Sequence, residues 1–311
     1  MTKKIDLRKM MKVMSLTFIL LGLLSPSFAQ KGKKGADKKK EDASSLYSGL
    51  KFRSIGPALM SGRIVDIAIN PVNENTWYVA VASGGVWKTT NAGTTWQSIF
   101  DGQVSYSIGC ITLDPQNPEI VWVGTGENDG GRHIGYGDGI YKSENGGKSW
   151  KNMGLKKSEH LSKIIIHPTN SKIMWVASQG PLWSKGGERG VYKSTDGGIT
   201  WKHTLGDDAW VGATELLIDP RNPDVLYAAT WQRHRTVAGY LGGGPGTAIH
   251  KSIDGGETWT KLGNGLPTSN MGKIGLAISP QKPDVIYAAI ELDRRKGGVY
   301  KSENRGASWK K

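Results

Sequence analysis

The chain has 311 residues, and roughly half of them are apolar once its 43 glycines are counted, which excludes intrinsic disorder of the whole chain and a collagen-like repeat. The net charge is +14, about half of it within residues 1–42, and no nucleic-acid-binding motif accompanies the rest, so nucleic acid is not an expected partner. The single cysteine, Cys110, excludes a disulfide framework or a Cys-based zinc site within one chain, and no histidine spacing suggests another metal site.

In chain order, Lys3, Lys4, Arg8, Lys9 and Lys12 precede a short apolar run at 16–24 (LTFILLGLL), and Ser27 and Ala29 set small residues at −3 and −1 of a cleavage point before Gln30. This is the pattern of a secretory signal peptide over residues 1–29, too short to span a bilayer. It predicts a periplasmic or extracellular chain without a transmembrane segment. Residues 30–49 are rich in Lys, Gly and Ser and read as a disordered linker.

From residue 50 onward the sequence repeats. Five segments, 89–96 (TTNAGTTW), 143–150 (SENGGKSW), 194–201 (STDGGITW), 252–259 (SIDGGETW) and 302–309 (SENRGASW), share the pattern S/T-x-D/N-x-G-x-S/T-W. Their tryptophans are spaced 54, 51, 58 and 50 residues apart. Each module holds four β-like runs. The first ends in a Pro turn (64–71, 108–115, 163–168, 216–220, 274–280), and the second is apolar and aromatic (77–81, 120–123, 173–177, 225–230, 285–290). The third is short (86–88, 140–142, 191–193, 249–251, 299–301), and the motif's Trp opens the fourth. Four strands per module with no helical period predict an all-β fold, a β-propeller of four-stranded antiparallel blades with five blades present. In the motif, Gly supplies positive φ, the Asp/Asn and Ser/Thr side chains bond the turn backbone, and the Trp is expected to bury its ring between blades.

This motif is that of the Asp-box, or bacterial neuraminidase repeat. Over about residues 50–311 the chain resembles Asp-box propellers, the superfamily of sortilin/Vps10 domains, sialidases and xyloglucanase-type glycoside hydrolases. The resemblance implies that the box residues are peripheral and structural. Residues 50–56 align with the fourth strands, as at Phe52 and Trp96, and read as a closing strand. The sequence stops where the fifth module begins its own fourth strand, which is the expectation for part of a larger propeller whose remaining blades are missing.

Module lengths vary in one place. The interval between the aromatic positions of strands two and three runs 9, 19, 17, 23 and 13 residues, while the other turns are constant. One face is therefore customised, and binding is expected there. Its two longest loops carry Glu127, Asp129, Arg132, His133 and Asp138, and Arg233 and His234. These suit a polypeptide or carbohydrate ligand, the alternative being solvated loops held by local ion pairs. A second set, Asp66, Cys110, Lys163, Glu215 and Gly275, recurs five residues before each strand-one Pro and is expected to line the central channel, either as a binding set with Asp66 and Glu215 or as a self-neutralising ring.

Other recurring residues read as structural. Lys88, Lys142, Lys193, Lys251 and Lys301 are expected to be solvated stems, His250 a packed ring, and Cys110 buried and inert. Gly242, Gly243 and Gly244 lack the strand-to-helix context of a phosphate cradle, and no cofactor is expected. Xyloglucanase-type enzymes place a catalytic Asp in an Asp-x-Gly-Gly stretch of the first blade, and Ala82 stands at the matching position here. The expected function is a ligand-binding module without catalysis in these residues. The alternative is a glycoside hydrolase, xyloglucanase- or sialidase-like, with catalytic residues partly outside this chain.

Overall fold

The repeated turn explains why each module becomes a sheet. In 143–150 the Ser143 hydroxyl accepts from the Gly147 N–H (2.8 Å) and donates to Asn145 Oδ1 (3.0 Å). Asn145 in turn takes the Ser149 N–H (2.9 Å) and gives its Nδ2 proton to Ser149 Oγ (2.8 Å). The same loop of bonds recurs around Asn91, Asp196, Asp254 and Asn304. Two successive residues take left-handed backbone, as at Gly146 (φ 67°) and Gly147 (φ 90°), so the chain reverses tightly and strands three and four pair.

The computed structural model describes residues 62–206 and 209–311, all within a unit spanning Ser54–Lys311. The expected signal peptide, linker and closing strand lie outside the described residues. The first sheet holds β1 (Ile64–Ile69), β2 (Trp77–Val81), β3 (Gly85–Thr89) and β4 (Gln97–Ser98). The second holds β5 (Ile108–Leu113), β6 (Val121–Thr125), β7 (Ile140–Ser143) and β8 (Lys151–Asn152). The third holds β9 (Leu161–Ile166), β10 (Met174–Ser178), β11 (Gly190–Ser194) and β12 (Lys202–Leu205).

In the fourth module β13 (Val211–Asp219) and β14 (Asn222–Gln232) run longer than their sequence patterns suggested. A separate hairpin, β15 (His234–Arg235) with β16 (Tyr240–Leu241), precedes β17 (Ala248–Ser252) and β18 (Thr260–Lys261). The fifth sheet holds β19 (Ile274–Ile278), β20 (Ile286–Ile290) and β21 (Gly298–Ser302), with Lys310 bridging Lys301 where a fourth strand begins. All pairings are antiparallel, giving the blades of a β-propeller.

The hydrophobic core lies between sheets. Tyr78, Ala80 and Val86 of the first sheet pack with Ile108, Ile111 and Val123 of the second, and equivalent clusters fill the next three seams. The tryptophans of the second to fifth motifs pack into these seams, whereas Trp96 of the first is 40% exposed. Trp150 Nε1 donates to Ile99 O and Trp201 Nε1 to Met153 O, each at 2.8 Å and each in the preceding module.

Three of the recurring lysines correct the expectation of solvated stems, whereas Lys142 and Lys301 pair with Glu144 and Glu303 of their own turns. Lys88 Nζ sits 5.0 Å over the Tyr78 ring and donates to Gly146 O of the next motif (2.9 Å). Lys251 does the same over Tyr227 and to Arg305 O (3.0 Å), while Lys193 reaches Glu257 of the next motif (2.7 Å). An aromatic face and a turn carbonyl together make a better cation site than the strand's surroundings suggest, so these lysines clasp neighbouring sheets.

Strands β1, β5, β9, β13 and β19 lie side by side in that order, and the first three share a groove of about 500 Å³ containing Asp66 and Lys163. Each of the first four has a bulge directly ahead of its channel residue, at Val65, Gly109, Ser162 and Thr214. In β19 the pairing is continuous through Gly275.

Candidate functional site

The loop from Gly126 to Asp138 rises from β6 and is tied down by the other modules. His160 Nδ1 meets Glu127 O at 3.0 Å, and Gln179 Nε2 donates to Asn128 Oδ1. Arg233 donates through Nη1 to Asp129 O and through Nη2 to Gly180 O (2.9 Å), while Arg235 forks onto Gly130 O (2.7 and 3.0 Å). Lys273, just ahead of β19, gives its ammonium to Asn128 O and Oδ1, both at 2.9 Å. Arg63, just before β1, pairs with Glu127 and approaches His133 Nε2 at 3.4 Å. One loop thus joins groups from all five modules. It also rests on the connection between the first and second sheets, with Ser105 Oγ donating to Tyr136 O (2.7 Å) and Ser107 Oγ to Gly135 O (3.0 Å).

The sequence-predicted residues divide by burial. Glu127 and Arg233 are fully buried: Arg233 serves backbone carbonyls, and Glu127 lies under the loop against Arg63. Burial draws the Arg233 guanidinium down to about 9, still charged at neutral pH. Asp138 is partly buried, and its Oδ2 accepts from Tyr141 Oη at 2.5 Å, which together with burial pushes the Tyr141 phenol up to about 12. His234 stacks on Trp210 with ring centres 3.9 Å apart. Asp129, Arg132 and His133 are exposed together, and Arg132 uses Nη2 on Val237 O (2.9 Å) of the fourth module's loop. Tyr136 and Tyr240 are exposed on the same two loops.

In the channel, Asp66 Oδ2 accepts the Ile111 N–H (3.1 Å), linking the first two inner strands. Glu215 is partly buried, and that burial raises its carboxyl to about 7 against the opposing pull of Lys163 and Lys273, with Asp66 adding to the rise. Asp66 and Lys163 line one groove, and Glu215 lies on the adjacent inner strand. Cys110 is buried and its thiol is pushed up, chiefly by burial, as expected for an inert group. Four site residues escaped the sequence reading, namely Arg63, His160, Gln179 and Lys273. Each sits in a connection or strand end, and only the tertiary path of the loop reveals it. His160 is buried, which holds its imidazole well below the usual histidine range. Among the described residues no metal-ligating cluster is present, and no helix is long and apolar enough to cross a membrane.

The chain is 24% identical over 240 residues to a xyloglucanase of Hypocrea jecorina, covering 70% of this chain and 27% of that protein. Against the xyloglucanase Xgh74A of Acetivibrio thermocellus it is 24% identical over 233 residues, covering 63% and 25%. The chain thus spans about a quarter of the length of the curated relatives it matches. Among solved structures, an ancestral GH74 enzyme superposes with a TM-score of 0.61 at 21% identity, over 83% of this chain and 32% of that one. In fold, the chain is a xyloglucanase-like β-propeller. A structure of YCF48 bound to D1 peptide also matches, at TM-score 0.51 and 16% identity, over 83% and 70%. No family model matches the chain.

Proposed function

We propose that the chain is a carbohydrate-binding β-propeller that engages its ligand on the long-loop face. The observation that carries this reading is the union of the two longest loops through Arg132, Arg233 and Arg235, which leaves Asp129, Arg132, His133, Tyr136 and Tyr240 exposed. Buried bonds hold the loops in place, so little conformational entropy remains to be lost on binding. A guanidinium can grip a vicinal diol with two parallel bonds, and exposed tyrosines offer flat faces to a sugar ring. The names of the sequence relatives support a β-glucan such as xyloglucan over a polypeptide. Titration with xyloglucan oligosaccharides and with a peptide library tests the choice. Saturable binding to peptide and none to glycan overturns it.

A second reading, glycoside hydrolysis, is favoured by Glu215. A partly buried carboxyl raised to about 7, chiefly by that burial, has the character of a general acid. Ala82, at the position of the family's catalytic Asp, is buried and can be neither acid nor base. A reducing-end assay decides between the readings. Turnover by the chain that is lost in Glu215→Gln establishes hydrolysis, and binding without turnover leaves the module non-catalytic.

The repeated turn is proposed to be an Asp-box, with its Asp and Asn residues serving the fold. The N-terminal pattern is proposed to direct export with cleavage after Ala29, so that N-terminal sequencing of exported protein begins at Gln30. Exported protein that begins at Met1 counts against it.

A further inference from the structure

His160 is the buried titratable group among the ties that hold the loop at 126–138. Its side chain is fully buried, and the ring of the exposed Tyr136 lies against it, with ring centres 5.8 Å apart. Glu127 O can only accept, so the Nδ1 contact at 3.0 Å fixes the proton of the neutral ring on Nδ1 and leaves the lone pair on Nε2. Nε2 is buried and meets no hydrogen-bond partner among the described residues. The backbone around the ring is tied to the loop as well. Glu159 O accepts the Gly137 N–H (2.7 Å), and a Cβ at Gly126 would lie 1.7 Å from the same oxygen. The base of the loop and the His160 segment therefore touch backbone to backbone, and neither moves without the other.

The charged groups around the ring oppose a second proton on it. Arg233, just past β14, and Arg189, just ahead of β11, are both buried, and both add to burial in keeping the imidazole neutral. On the negative side, Glu127 is paired with Arg63, and burial raises the carboxyl of Glu159, which makes it a weak counter-charge. A proton on Nε2 would thus create an N–H without an acceptor and a charge beside two guanidiniums, in a site closed to water. Such a state is costly to bury.

We propose that His160 is a proton-operated latch on this loop: a proton taken up at Nε2 drives the imidazole out of its site, breaks the bond to Glu127 O and releases residues 126–137. Asp129, Arg132, His133 and Tyr136 lie on the released stretch, so acid dismantles the ligand-facing surface, a consequence that rests on the carbohydrate-binding reading above. A solvated imidazole takes its proton near pH 6.5, so each pH unit below that value favours the open loop about tenfold, until the closed loop takes the proton too. Glu159 and Glu215 cannot produce this effect. Both carboxyls are raised, so their protonation favours the closed form as the pH falls.

Hydrogen–deuterium exchange of the full chain at pH 6.5 and pH 4.5, corrected for the intrinsic pH dependence of exchange, tests the latch without any ligand. Amides of residues 126–137 should open at least about tenfold more often at pH 4.5, while those of β10 stay as protected as before. His160→Gln keeps a donor for Glu127 O and has no proton to gain, so its loop should be equally protected at both values. Where that variant fails to fold, spectra of the wild type labelled with carbon-13 histidine take its place: His160 should be neutral with its proton on Nδ1 at pH 6.5, and should gain the second proton in step with loop opening. Equal protection of 126–137 at both values, acid opening shared by β10, a His160→Gln loop that still opens in acid, or a ring already charged at pH 6.5 each overturns the latch. Xyloglucan oligosaccharide titrated at the same two values should bind the wild type at least about tenfold more weakly at pH 4.5, and His160→Gln with one affinity. Loop opening in acid with no binding at either value refutes the carbohydrate reading and upholds the latch.

Discussion

Arg132 and Arg233 carry the same guanidinium in the same kind of loop, and the fold uses them oppositely. Arg233 is buried against the carbonyls of Asp129 and Gly180, so Arg233→Met should cost about 3 kcal/mol of stability by leaving buried acceptors unmet. Arg132→Ala should change stability by no more than about 0.5 kcal/mol, as is usual for an exposed side chain. Denaturant midpoints check both. Sequence spacing could not separate them, because the distinction lies in what the loop meets after crossing the channel mouth.

Two titrating groups at this scale act with opposite signs. His160 has its folded value held well below 6.5, so the unfolded chain takes its proton first and stability falls as the pH drops below about 6.5. Glu215 is raised from 4.5 to about 7, so its contribution is complete below 4.5 and is lost as the pH climbs through 7. Unfolding midpoints measured against pH should therefore lose their decline between 4.5 and 7 in Glu215→Gln.

At the scale of the element, the repeated turn and the strand pattern were legible because both are local: a hydroxyl, an amide or carboxyl, and glycine at fixed offsets close the turn without outside help. What local pattern could not show was the bulge ahead of each channel residue. It exists because the bulged residue bonds or touches the next inner strand, as Ser162 Oγ does with Ala213 O (3.1 Å). At Gly109 there is no room for a side chain: a Cβ would lie 1.9 Å from Leu161 O and 2.4 Å from Gly126 O. Gly109→Ala should consequently destabilise by about 2 kcal/mol or more, since both obstacles are backbone.

Ala92 offers the reverse case. It holds a left-handed φ of 52° where the second, third and fourth motifs have glycine, so Ala92→Gly should raise stability by up to about 1 kcal/mol. The lysine clasps were missed because a lysine after an aromatic looks solvated until the next sheet brings its turn carbonyl within reach. The β15–β16 hairpin was missed because His234, Arg235, Tyr240 and Leu241 show no alternating pattern.

At the scale of the whole molecule, cores between sheets make each module depend on its neighbours, and the long loop of the second module adds a tie across the channel mouth. One face is therefore uniform and structural, and the other is shaped by loops whose anchors are buried and whose tips are exposed. One paired titration tests that division. Binding of a xyloglucan oligosaccharide is measured by calorimetry for the wild type, Arg132→Ala and Asn145→Ala, alongside their melting temperatures. Arg132→Ala should lose ten- to hundredfold in affinity, about 1.5–3 kcal/mol, with nearly unchanged melting. Asn145→Ala should melt lower, through the loss of about 1–2 kcal/mol of turn bonds, with unchanged affinity. The reverse outcome, affinity lost with Asn145 and stability lost with Arg132, would place binding on the turn face instead.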